Sequence, residues 1–202
     1  MNIGGEQSRK LSDQGAEMSS LYITHYYVQG TDPWKNIMLL PEEAAFQKAA
    51  ELAAAHKGMT SFGRFADFRN NYPLRKSADK RVREQFTGLG GKPRLEHPFS
   101  FVLGESDYLR KWFDGGDSLR IPLDGIPDEL ISFTLGDSCA KYSKNDSLDV
   151  LTKQMLIERL HATTLLVYTS YHFGLPTEPC HHAFVLSAYQ SSWTFGTVRP
   201  AG

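Results

Sequence analysis

Cysteine is nearly missing from this chain: only Cys139 and Cys180 occur in 202 residues. Two thiols make one bridge at most and no disulfide framework. A chain of this size buries enough surface to fold without such staples, and free thiols in a reducing compartment are the expectation. Long apolar runs are missing too. None approaches the roughly 18 residues of a membrane span, and the opening "MNIGGEQSRKLSDQGAEMSS" lacks the apolar core of a secretory signal. No membrane contact is expected, and a cytoplasmic location is. Net charge is small, −1, so no whole-molecule field draws the protein to nucleic acid or an acidic lipid surface. Neither a glycine-rich phosphate loop nor a G-x-S-x-G elbow is present.

What is present is an ordinary globular composition, 41% apolar and 22% charged. Residues 1–20 are polar and predict a disordered arm, with Met18 as an internal start. Residues 21–170 predict one α+β domain, with a central, mostly antiparallel sheet flanked by about four helices. "LYITHYYV" (21–28) alternates like a strand. "PEEAAFQKAAELAAAH" (41–56) predicts a helix, with Pro41 in its first turn and Phe46, Ala49, Ala50 and Ala53 facing inward. A second helix is predicted over 77–87, capped by Ser77, with Asp79 complementing its dipole. "FSFVL" (99–103) predicts a strand, and 106–116 a short helix capped by Ser106. "SLRIPL" (118–123) and "LISFTL" (130–135) predict strands joined by the turn "DGIPDE". A helix over 152–166 would turn Met155, Leu156 and Leu160 inward, and strands are predicted at 184–190 and 193–199. The segment 171–202 has only two formal charges, Glu178 and Arg199. It is expected either to pack on the domain or to be of separate origin.

The most distinctive stretch is "SFGRFADFRNNYPLRKSADKRVREQF" (61–86). Between positions 64 and 83, seven basic residues face only Asp67 and Asp79, a local charge of +5. Phe62, Phe65, Phe68 and Tyr72 are interleaved. Guanidinium forks bind phosphate or carboxylate bidentately, and aromatic faces stack on bases. Arg64, Arg69 and Arg75 are therefore the candidate ligand-binding residues for a nucleotide-like or other anionic substrate. The near-zero overall charge disfavours extended nucleic acid. His25, on the first strand, and His97, just before a later one, are the candidate groups to orient a substrate or transfer protons. Asp137 and Ser138, at the end of a strand, are candidate ligand contacts or turn formers. His172, Cys180, His181 and His182 fit no standard zinc spacing, and no metal site is expected. No particular cofactor is indicated.

Gly136-Asp137-Ser138 resembles the opening of the nucleophile motif of GDSL-type esterases. That family carries the motif near the start of its domain and an Asp-x-x-His near the end, whereas here no Asp follows Asp149. His25 resembles the first-strand histidine with which one class of ADP-ribosyltransferase-like domains holds ribose. Such domains also use a late-strand glutamate, and the late acid here, Glu178, lies in the loop-like "LPTEPCHH". The reading that results is an enzyme or enzyme-like domain for an anionic substrate. The alternative is a non-catalytic interaction module that meets an acidic partner through residues 61–86.

Overall fold

The computed structural model describes residues 21–145, 147–162 and 184–188. The expectations for the 1–20 arm, the 193–199 strand, Glu178 and the His172–His182 group lie outside the described residues.

Among the described residues five strands form one sheet: β1 Tyr22–Tyr27, β2 Phe99–Leu103, β3 Asp117–Pro122, β4 Ile131–Leu135 and β5 Phe184–Ala188. Their spatial order is β3-β1-β2-β5-β4, and every neighbouring pair is antiparallel. The helices are α1 Glu42–Ala55, α2 Gly63–Ala66, α3 Phe68–Gly88, α4 Asp107–Trp112, α5 Ser138–Ser143 and α6, residues 153–162. The protein is thus an α+β domain built on an antiparallel sheet. Among the described residues no helix is long and apolar enough to cross a membrane.

Alternation along the strands gives the sheet two unlike faces. Ile23, Phe101, Ile121, Ile131 and Phe133 point one way and join Leu123, Ile126, Leu151 and Leu156 in the main core. The opposite face carries Thr24, Ser100, Val102, Ser132 and Thr134, most of them buried. Ser100, Ser187 and Ser132 stand in one cross-strand register row.

Several elements depart from expectation, each for a packing reason. β3 and β4 are not a hairpin; they occupy opposite sides of the sheet order. The segment between them carries Leu123, Ile126 and Leu130, all buried. It crosses under the sheet because those side chains belong in the core. Lys153 fixes the crossing, with Nζ donating to the Ile126 carbonyl at 2.9 Å and lying 2.8 Å from an Asp128 carboxylate oxygen. In α1 the buried residues are Ala45 and Ala49. Phe46 is half-buried and Ala50 exposed, so the inward face is rotated by about one residue. In α6, Leu156 is buried but Met155 is exposed.

The largest departure is α3, which begins at Phe68 rather than Ser77. Pro73 stands in its second turn. It removes one amide from the ladder, at a cost of about 3 kcal/mol in a helix interior. Packing offsets this. Phe68 and Tyr72 join Met38, Ala45 and Ala49 in a second cluster, with Phe46 and Phe65 against it. The Phe46 ring lies 5.1 Å from Phe68 and 5.3 Å from Tyr72, centroid to centroid. At the other end of α3, Val82 and Phe86 pack with Leu148 and Val150.

Candidate functional site

Between those two apolar clusters, α3 turns Arg75 and Asp79 inward. Asp79 is 1% exposed, and both of its carboxylate oxygens are engaged. Oδ1 lies 2.8 Å from Arg75 Nε, and Oδ2 lies 2.8 Å from His97 Nδ1. His97 is itself buried. Arg75 reaches past Asp79 to the polar face of the sheet, where Nη2 donates to Ser100 Oγ at 3.0 Å. Burial is the largest single influence and disfavours the charged guanidinium, but the surrounding groups, Asp79 foremost with Cys139 and Asp137 behind it, together outweigh it, and the pKa of Arg75 is raised. Asp79 is therefore the centre of a buried polar group, not a dipole complement at a helix start, and Ser77 is not a cap.

α5 packs beside this part of α3. Asp137 is its N-cap, and Oδ1 accepts from the Cys139 amide at 2.7 Å and the Ala140 amide at 3.3 Å. Ser138 follows, buried. The Cys139 thiol lies close enough to Arg75 to interact with it. Burial pushes the thiol pKa up, and Arg75 opposes that only in part. Cys139 is thus protonated at neutral pH, which does not suit a nucleophile.

Arg64 completes the group. Its guanidinium feels Arg75, Cys139 and Asp137, and its pKa is lowered by crowding first and by the Arg75 charge second. More than a third of the residue remains open to solvent, so the guanidinium is crowded rather than enclosed. Among the described residues it has no carboxylate at ion-pair distance. It lies over the Phe65 ring, 5.1 Å from the centroid.

Of the residues singled out from sequence, then, Arg64, Arg75, Asp137 and Ser138 come together, and His97 joins them through Asp79. Arg69 does not; it is exposed on the first turn of α3. Nor does His25, which shares the apolar sheet face with Phe101, 5.2 Å away between ring centroids. Its ring sits between two carbonyls, with Nδ1 2.8 Å from Ser100 O and Nε2 3.1 Å from Pro33 O. Asp79, Ser100 and Cys139 were not anticipated as members. The signal for Asp79 was its i+4 spacing from Arg75.

Burial lowers the pKa of His25 below its ordinary 6.5, and the two carbonyls only partly restore it. The folded protein therefore holds His25 neutral where the unfolded chain takes up a proton. That stability is fully present above pH 6.5 and is lost as pH falls below it, until the folded-state pKa is passed. The expected result is a urea midpoint that falls between neutral and mildly acidic pH. In His25→Gln that slope should flatten relative to wild type. A variant with the same slope would show that another group governs it.

Among the described residues no three His, Cys, Asp or Glu side chains cluster in a way that could hold a metal ion. No family model matches the chain, and comparison with curated proteins and with solved structures finds no match.

Proposed function

We propose that this chain is an enzyme or enzyme-like domain that takes a phosphate- or carboxylate-bearing substrate, nucleotide-like in the first instance, at Arg64 and Arg75. One observation carries the reading. Two guanidiniums lie close enough to repel each other, and among the described residues the more exposed of them has no carboxylate at ion-pair distance. Like charges brought together cost energy unless something negative joins them. Arg75 is fixed by Asp79 and Ser100, so its position does not depend on the ligand. Arg64 is the arm free to close on it. Asp137 acts on both guanidiniums from the α5 side, and Ser138 stands beside it, buried.

The test is thermal melting with a panel of nucleotides, pyrophosphate and phosphorylated metabolites. At least one member should raise the melting point, since a ligand at a hundred times its Kd adds about 2.7 kcal/mol. Arg64→Lys keeps the charge and loses the fork. It should melt like wild type alone and bind roughly tenfold more weakly, the equivalent of about 1.4 kcal/mol. If no member shifts the wild type, the anion site is wrong.

The interaction-module reading has its own support. Arg69, Arg81 and Arg83 are exposed along α3 without an acid partner among the described residues. Arg81 and Lys80 also border a wide open trough of about 750 Å³ beside Tyr142. An acidic protein surface would fit that side, and charge reversal at Arg81 and Arg83 would abolish its binding while leaving Arg64-dependent melting shifts intact.

A further inference from the structure

The buried carboxylate has a second consequence, independent of the anion site. Asp79 accepts from His97 Nδ1. A neutral imidazole whose Nδ1–H is committed to a carboxylate presents Nε2 as a fixed acceptor. That Nε2 has no hydrogen bond among the described residues. His97 is only 4% exposed, and it is one of the residues that line a groove of about 370 Å³. This is within the usual size range of a small-molecule site.

The rest of the groove has a definite character. Its lip is apolar: Leu39 and Leu40, at 42% and 40% exposure, are among the few large apolar side chains left in water. Met38, Pro41 and the Tyr72 ring continue that surface. The charges at the rim are Lys76, Glu42 and Glu96. Lys76 lies 3.8 Å from Glu42 and 5.7 Å from the Tyr72 ring centroid, whereas Glu96 has no ion pair among the described residues. The rim therefore carries one net negative charge.

We propose that this groove is a binding site for a small amphipathic molecule with a compact apolar tail and a hydrogen-bond-donating head, a protonated amine before an alcohol. The tail lies on Leu39 and Leu40. The head donates to His97 Nε2, and Glu96 favours a positive charge there. A carboxylate is disfavoured, because it offers no proton to Nε2 and meets the acidic rim. The site is opposite in preference to the Arg64–Arg75 pair, although both are organised by Asp79.

Three probes sharing one tail separate the possibilities: isopentylamine, isopentyl alcohol and isovalerate. Each is titrated into the full ¹⁵N-histidine-labelled chain at mildly alkaline pH, where histidine is neutral. The amine and the alcohol should shift the His97 Nε2 resonance with millimolar affinity. Isovalerate should bind roughly tenfold more weakly or not at all, a difference of about 1.4 kcal/mol. His97→Phe should remove the preference for a donating head. Because His97 is buried and its replacement also tests the fold, Leu39→Ser at the exposed lip is the second arm, with a several-fold loss for amine and alcohol alike. Equal or tighter isovalerate binding, or no movement of the His97 resonance with any probe, overturns the proposal. Either result leaves the nucleotide-panel test untouched.

Discussion

Replacing Asp79 with alanine should lower the unfolding free energy by about 3–5 kcal/mol, the range for removing one partner of a buried ion pair. The carboxylate is 1% exposed and answers both Arg75 and His97. Without it, the His97 Nδ1–H is left in a dry site with no acceptor, and such a donor costs about 1–3 kcal/mol. Arg75 loses the one carboxylate it has at ion-pair distance among the described residues and keeps Ser100 Oγ and the neighbouring Cys139 thiol. Its side chain is 28% exposed, so it can turn toward water and recover part of the loss. Alanine returns at most about 0.7 kcal/mol in helix propensity, too little to offset the rest. Urea unfolding followed by circular dichroism measures the cost. Asp79→Ala combined with His97→Phe should cost less than the sum of the singles, because both remove the same hydrogen bond. A cost below about 1 kcal/mol would mean that water reaches the carboxylate, as it does at surface pairs.

Phe86→Ala is expected to be equally severe, at about 3–5 kcal/mol. The ring is 0% exposed and packs with Val82, Leu148 and Val150. A neighbour makes the effect testable beyond its size. Gly91 follows the end of α3, with its amide bonded to the Phe86 carbonyl at 2.9 Å. A Cβ at position 91 would lie 2.5 Å from the Phe86 ring. Gly91→Ala alone must therefore displace a buried ring, and overpacking of this kind costs about 1–3 kcal/mol. In the Phe86→Ala background the methyl enters the space the ring has left. The double variant should then be more stable than the two single losses added together. Strict additivity would show that the two positions do not meet.

How far the sequence disclosed this arrangement depends on what interrupted its periodicity. β1, β2, β3 and β4 lie close to their alternating stretches, and α1 follows Pro41 as its acidic first turn implies. Ser106 caps α4, accepting from the Leu109 amide at 3.2 Å. α3 was only half legible. Its inward stripe runs Phe68, Tyr72, Arg75, Asp79, Val82, Phe86, a continuous helical spacing. Two charged residues in the middle of it look like a break, and Pro73 reinforces the impression. They are inward because each neutralises the other, which no single-residue scale records. Likewise Ile126 lies in the turn-forming stretch DGIPDE, and the turn chemistry hid its burial. The approach of Arg75 to the α5 cap depends on tertiary contact between α3 and α5, which sequence spacing does not encode.

The strand order has a consequence for how the chain comes into being. Synthesis delivers β1, β2 and β3 early, and those three can pair at once, because β1 joins β2 on one side and β3 on the other. β4 emerges next but has no seat beside them; its place is across β5. Until residues 184–188 arrive, Ile131 and Phe133 can share the apolar cluster but lack a strand to seat β4 in the sheet, apart from the single backbone pairing of Phe133 with Leu151. The nascent sheet therefore stays open along β2 for the translation of every residue between β4 and β5. Pairings over such sequence distances are slow to form, and an open apolar edge invites other chains. Among the described residues, the last strand to leave the ribosome is the one that closes the sheet.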